Sequence, residues 1–599
     1  MKWSVRPFAS RSSRLRLLPG AAGAAGVACA LAALTGPGCG GRVVVDPLVE
    51  EDEDTTSTVN VSGSGGTPTT STTTTTTSTG IGGAGGTGGA GGSGVATLSE
   101  TDLGPFSPGM SSDFNVPDNT LGFSVIVRPA DPFGQLGVES LVAPSGQAVI
   151  ADYIIPPTDW MFAWYGMTVA AVPQSDAPPS MPDVMSGPWT VGVNDPTGAN
   201  QTGDVSLWLR RTVDGQFHGG ELDVNVFVAG GVTSKDYLVE MLLTSYDGYA
   251  GLHLGQVTFY DLPPQYAVIS GSLQFLEVLE QTAAAERRPA LNILAIADLA
   301  GELENAAGVA AGIPGQGVQH GSHSSGVVME VFNDYFSDSV IMEHEGGHLG
   351  GLFHTSEIAP PAHDPLGDTG YCTDVQGQLE SCPDFDNIMF PFGSEAKQMT
   401  PMQERVLQGS LLYRGIYAEG LAPEPPLPPS ASVKASAGVA ALQPVRVVDL
   451  SARSRGARRP QPQAPSRAWA AGLPRGAAEV LSGVWCRGQG LGVDHHELLR
   501  RAGGDDPVQL LMIGADASAP VHVRKRALAA AGRAAPPPEV VAALADIAET
   551  REAPGQVRIG ALRGLEAAGG PEAAAVAQRL GGADPILAEV ARRVLQARP

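Results

Sequence analysis

From residue 97 to about 215, apolar and polar residues alternate in short runs. LGFSVIVRP, VESLVAP, GPWTVGVND and VSLWLRR are of strand length, and each is bounded by Gly, Pro, Asn or Asp. A period of two marks half-buried strands, and regularly spaced turn formers between them predict an all-β sandwich over 97–215. Between 220 and 335 the pattern changes. LDVNVFVAG (222–230), LHLGQVTFYDL (252–262), LNILAIADL (291–299) and SGVVMEVF (325–332) predict strands, whereas KDYLVEMLLTSY and the stretch 270–286 predict helices. Strands alternating with helices are the α/β pattern. From about 470 the chain is rich in Ala, Leu and Val and predicts helices. VRKRALAAAG at 523 returns as VRIGALRGLEAAG at 557 and as VARRVLQA at 590, spacings of 34 and 33 residues. Such a period implies stacked helix pairs.

Between these segments lie stretches with little to bury. Residues 40–96 include STTTTTTSTGIGGAGGTGGAGGSG and predict a flexible stalk. Residues 416–469 are rich in Pro, Ala and Arg and predict a linker, with SARSRGARRPQPQ as a solvated basic run. The first 39 residues read as an export signal: Lys2, Arg6, Arg11, Arg14 and Arg16 precede the run LLPGAAGAAGVACALAALTG. Gly38 before Cys39 suits lipoprotein processing, with Cys39 lipidated and the chain anchored to a membrane. Gly36 stands where an aliphatic residue is usual, so ordinary cleavage and secretion is the alternative.

The chain has 599 residues and a net charge of −25, which argues against a nucleic-acid partner because a polyanion would be repelled. Of its five cysteines, Cys29 and Cys39 belong to the signal and Cys486 stands alone. Cys372 and Cys382 are a close pair in a chain read as exported, so a disulfide is expected.

The chemistry concentrates in HEGGHLGGLFH, residues 344–354. On a helix, residues four apart share a face, so His344 and His348 can hold one ion, while Glu345 beside them can reach water at that ion. His354 lies too far along a continuous helix to complete a set of three. The chain must therefore turn sharply after Gly350, and Gly351 is the residue that can take the positive φ this needs. Gly346 and Gly347 fall inside the predicted helix, where each costs about 0.8–1 kcal/mol relative to Ala. Either metal coordination holds the turn despite that cost, or the missing β-carbons let a neighbouring strand or the substrate approach closely; Gly346 is expected to tolerate Ala unless such packing needs the space. His320, His323 and His363 read as surface or loop polarity, and His495 and His496 as a solvated helical face.

The complete H-E-x-x-H-x-x-G-x-x-H, with NIMFP (387–391) placing Met389 35 residues after His354, resembles the metzincin metallopeptidases. Within that clan, HLGGLFHTSE, DPLGDT and DNIMFPF are most similar to the pappalysin family, over about 220–415. The resemblance implies an α/β metzincin-type catalytic domain, His344, His348 and His354 as Zn²⁺ ligands, Glu345 as general base and Met389 beneath the metal. Asp364, Asp368 and Thr369 sit where pappalysin-like enzymes can bind Ca²⁺, the alternative being a plain oxygen-rich loop. Pro391 stands where some metzincins place a tyrosine ligand, and no cysteine lies between Cys39 and Cys372 to act as a propeptide switch. LVAPSG and GPWTVGVNDPTG resemble the P-domain-like jelly rolls of secreted peptidases, and the repeats from 470 to 599 resemble HEAT repeats.

The sequence thus describes a multidomain chain: an all-β sandwich, an α/β metzincin-type domain and an all-α helical-repeat tail. The function it implies is an exported zinc endopeptidase, cleaving peptide or protein substrates with zinc-activated water and carrying repeats that offer a surface to a protein partner. The rival reading is a surface-anchored scaffold whose metzincin-like domain is catalytically weak, motivated by the glycine-loosened helix and the repeat tail.

Overall fold

The structure, a computed structural model, describes residues 97–596 apart from internal stretches, the longer of which are 152–161, 176–184, 358–362, 374–380, 394–397, 416–441, 455–466 and 486–494. The signal with Cys39, the stalk, Cys486 and most of the 416–469 linker lie outside the described residues.

Two four-stranded antiparallel sheets form the first body. One carries Thr97–Phe106, Gly203–Arg211, Thr120–Pro129 and Thr168–Val172 in that order; the other carries Met110–Val116, Gly187–Asn194, Gly137–Val142 and Ala148–Ala151. Alternate residues of each strand face inward, so Phe123, Val125 and Val127 share one core with Trp189, Val191 and Val193. The strand Thr120–Pro129 is buried on its other face too, because Ile126 joins Trp208, Val318 and Leu411 at the seam with the next body. Arg210 is buried in that seam. Its Nε donates to the Ser410 carbonyl at 2.7 Å, its Nη2 to the Tyr413 carbonyl at 2.5 Å, and its guanidinium lies 3.7 Å from the Tyr413 ring centre.

A seven-stranded mixed sheet organises the second body. Its path runs Gly308–Ala310, Val327–Glu330, Leu291–Ile296, Gly220–Ala229, Leu252–Leu262, Pro444–Asp449, and the seventh strand, Arg414–Gly415, pairs with Gly220–Ala229 off this path. The four inner strands are parallel and the two outer ones antiparallel. Gly220–Ala229 is buried at every position, which explains its mostly apolar sequence. The helices Lys235–Tyr246 and Ser272–Glu280 connect parallel strands, and the second continues only as a 3₁₀ turn to Ala284, short of the expected Glu286. The linker expectation needs one correction. Val445, Arg446, Val447 and Val448 give residues 444–449 strand character, and they pair with Leu252–Leu262 while Arg446 bonds Asp236 at 2.6 Å.

The C-terminal region is helical, with Pro507–Ala515, Val521–Arg533, Pro538–Glu549, Gly555–Ala568, Gly570–Leu580 and Pro585–Gln596 in succession. Val523 and Val557, the repeated residues, are both fully buried at the third position of their helices. This tail does not stand apart from the sheet. Lys525 Nζ donates to Asp298 Oδ1 at 2.7 Å and Glu330 Oε2 at 2.9 Å, and Arg563 Nη2 donates to Asp298 Oδ2 at 2.5 Å. Gln556 Nε2 donates to the carbonyls of Ala297 and Val331 at 2.6 and 2.8 Å. Burial works against the Asp298 carboxylate, but Arg563 and Lys525 outweigh it and hold the group below its usual range; Glu330 is pushed up by burial.

Lys525 thus bridges two buried carboxylates, sharing Asp298 with Arg563. Removing one partner of such a group leaves uncompensated buried charge, at a cost of about 3–5 kcal/mol. Lys525→Ala should lower the urea midpoint of the full-length protein accordingly, and an unchanged midpoint would show that the tail is not held this way.

Candidate metal centre

The helix Tyr335–Gly350 carries HEGGH. It starts at Asp334, whose carboxylate accepts from Phe336 N at 3.2 Å and from Ser337 Oγ at 2.7 Å. It stops at Gly351, which sits at φ 112° and ψ 6°, a conformation that opposes a side chain. There Gly351 N bonds the His348 carbonyl and Leu352 N bonds the Gly347 carbonyl, both at 2.9 Å. The reversal has two chemical consequences. It turns the Leu352 carbonyl onto His348 Nδ1 at 2.7 Å, and it brings His354 back against His344.

His344 Nε2 lies 3.0 Å from His348 Nε2 and 3.1 Å from His354 Nε2. All three side chains are buried. The opposite nitrogens settle the tautomers. His344 Nδ1 faces the Ile388 carbonyl at 2.6 Å and His348 Nδ1 faces the Leu352 carbonyl, and a carbonyl can only accept. Both rings therefore carry their proton on Nδ1 and a lone pair on Nε2. Burial, then the charge of His354, lowers the His344 pKa to about 3; burial, then His344 and His354, holds His348 well below its usual value. The lone pairs of His344 and His348, facing each other at 3.0 Å, do not hydrogen-bond. A cation between them fits. Imidazole nitrogens bound to one Zn²⁺ at roughly 2.0–2.1 Å stand at about this separation.

The turn Asn387–Phe390 lies beneath this cluster. Asn387 Oδ1 accepts from Met389 N at 2.8 Å, and the Asn387 and Gln403 amides bond each other at 2.9 and 3.1 Å. Gln403 also closes the capping box of the helix Pro401–Gly409 with Thr400, so a helix start fixes the turn. The Met389 carbonyl accepts from Thr355 N at 3.1 Å, tying the turn to the strand of chain that carries His354.

Here the two helical glycines find their reason. A β-carbon at Gly347 would lie 2.5 Å from Met389 Sδ and 3.1 Å from Tyr249 Oη, and one at Gly346 would collide with Tyr246 Oη. The same hydroxyls donate to the helix: Tyr246 to the Met342 carbonyl at 2.5 Å and Tyr249 to the Glu343 carbonyl at 2.8 Å. The Gly pair is thus a notch that admits Met389 and two tyrosines. This overturns the expectation that Gly346 tolerates Ala. Glu345 is buried on the same helix, packed so closely against Gly308 of the outer strand that a β-carbon there would meet its Cγ at 2.6 Å.

Beyond His354, Cys372 and Cys382 form the expected disulfide. Cys372 N donates to Ser356 Oγ at 2.8 Å, which in turn donates to Asp384 Oδ2 at 2.7 Å. The expected Ca²⁺ residues divide. Asp368 is committed to protein donors, accepting from Thr400 Oγ1 at 2.8 Å and Met402 N at 2.9 Å. Asp364 accepts from Thr369 Oγ1 at 2.5 Å, yet its Oδ2 and the Oδ1 of Asp384 are buried without a hydrogen-bond partner. Burial, with Asp368 and Asp384 nearby, pushes the Asp364 carboxyl up to about 8. Asp384 was not legible in the sequence, because it lies 20 residues from Asp364 across the disulfide loop.

The remaining histidines also correct the sequence reading. His320 and His323 are buried, not surface groups: His320 bonds Asn292 and the Arg288 carbonyl, and His323 bonds Glu280 at 3.2 Å. Burial lowers the His320 pKa to about 4. Neither reaches the metal cluster. His363 is half-buried and bonds Thr369 at 3.0 Å.

A scan against protein-family models finds no match, and no curated protein matches the chain. Among solved structures, metalloproteinase-II from Bacteroides fragilis is similar over 33% of this chain and 54% of that one, at 11% identity and a TM-score of 0.22. The likeness spans about half of that protein and is too slight to bear on function, which rests on the geometry above.

Two substitutions test the local account. Gly351→Val forces a β-branched residue into φ 112° and should misplace His354, cutting zinc affinity by chelator competition at least tenfold. Gly346→Ala should destabilise the protein by about 1–3 kcal/mol through overpacking against Tyr246. Parent-like behaviour of both variants would contradict the turn and the notch.

Proposed function

We propose that this chain is a zinc-dependent endopeptidase of the metzincin type, with His344, His348 and His354 holding the metal and Glu345 as general base. The observation that carries the reading is the set of buried imidazoles whose Nε2 lone pairs converge on one point. A zinc ion held there supplies Lewis acidity, which acidifies water toward a pKa of about 7 and polarises a scissile carbonyl. Glu345 takes the proton of the attacking water on its carboxylate and delivers it to the leaving amine. Met389 and the turn around it hold His344 from below through the Ile388 carbonyl. The scaffold alternative drew on a helix loosened by glycine. That helix is continuous from Tyr335 to Gly350 and its notch is filled, which speaks against the first of the alternative's two motives and leaves the repeat tail as the other.

A Ca²⁺ ion belongs to the same reading, at Asp364 and Asp384 and not at Asp368. Two buried carboxylates with unpartnered oxygens are costly unless a cation joins them. Calcium should raise the melting temperature of the parent, and Asp384→Ala should abolish that rise. A parent indifferent to calcium would remove the second ion.

Glu345→Ala should keep about one zinc per chain while peptide hydrolysis falls roughly 10²–10⁴-fold. Near-parent activity in this variant would place the base elsewhere, and a parent inactive on a proteome-derived peptide library would return the scaffold reading.

A further inference from the structure

We infer that Glu357, which the sequence motif does not include, is a positioning residue of the metal centre. Its carboxylate accepts a hydrogen bond from Nδ1–H of His354 and so directs that ring's Nε2 at the ion. The inference rests on the zinc reading above.

The three rings are not held alike. His344 and His348 stand on a helix, and their Nδ1 atoms face backbone carbonyls whose places are set by the Asn387–Phe390 turn and by the Gly351 reversal. His354 stands past the end of the helix, on chain that has just reversed, and its Nδ1 meets a side chain: Glu357 Oε1 at 3.1 Å. An imidazole can flip about its Cβ–Cγ bond and exist in either neutral tautomer. Only the form with the proton on Nδ1 leaves Nε2 able to bind metal, and a carboxylate beside Nδ1 selects it.

Burial strengthens the effect. The side chains of His354 and Glu357 are 1% and 10% exposed, so their interaction is little screened. A carboxylate on the far nitrogen also makes an imidazole a stronger donor, and loss of such partners lowers metal affinity about 10–100-fold. Residue 357 is held in place by the surrounding chain: Ser356 pairs with His363 in a β-bridge and bonds Asp384, and Thr355 N bonds the Met389 carbonyl.

The test compares full-length parent, Glu357→Ala and Glu357→Gln by three readouts: zinc affinity by chelator competition, the visible spectrum with Co²⁺ in place of zinc, and the melting temperature without metal. Glu357→Ala should lose zinc affinity about 10–100-fold and shift the cobalt bands. Glu357→Gln should lose less, since its amide oxygen still accepts from Nδ1–H without the charge. Metal-free melting temperatures should match the parent in both variants. Zinc affinity of Glu357→Ala within about threefold of the parent, an unshifted cobalt spectrum, or a fall in metal-free stability that accounts for the lost affinity would each overturn the role. A parent that takes up no zinc would overturn the zinc reading itself and this role with it, whereas a zinc-binding parent with indifferent variants would remove only Glu357.

Discussion

Three buried imidazoles, with His344 Nε2 about 3 Å from the Nε2 atoms of both His348 and His354, are an unfavourable arrangement in a protein interior, and much of the second body serves to enforce it. Each ring is oriented from behind by an acceptor. The Ile388 carbonyl comes from the methionine turn, the Leu352 carbonyl from the chain reversal, and the Glu357 carboxylate from the segment beyond. Those acceptors are fixed in turn by Gln403 at a helix start, by the positive φ of Gly351, and by the disulfide-bounded loop. An arrangement that strained is retained when a cation converts mutual repulsion into coordination, and the binding energy of such an ion is part of the folding energy.

The same constraint explains the glycines. A helix carrying two buried histidines one turn apart must approach the turn that supports them, and side chains at 346 and 347 would hold it away. Tyr246 and Tyr249 fill the remaining space and bond helix carbonyls that already accept from the residues four further on. About 0.8–1 kcal/mol of lost helix propensity per glycine is small beside the packing it permits.

Much of this was legible in the sequence, because it depended on local rules. The period of two gave the strands around Phe123 and Trp189, the i, i+4 spacing placed His344 beside His348, and the need for a reversal singled out Gly351. What was not legible depends on segments distant in sequence. Nothing near Gly346 announces Tyr246, a hundred residues away. Asp384 comes near Asp364 only once the chain has closed its disulfide loop. His320 and His323 read as polar loop residues, since their burial depends on strands and helices folded around them. The segment 444–449 was hidden by its Pro- and Ala-rich surroundings, and the salt bridges of Lys525 join that residue to carboxylates about 200 residues earlier in the chain.

Zinc-edge X-ray absorption of the full-length protein tests the central claim most directly. The account predicts one tightly held zinc per chain, with three imidazole nitrogens at roughly 2.0–2.1 Å and no sulfur in its first shell. Zinc surrounded by oxygen alone, zinc bound through cysteine sulfur, or no stoichiometric zinc would contradict it.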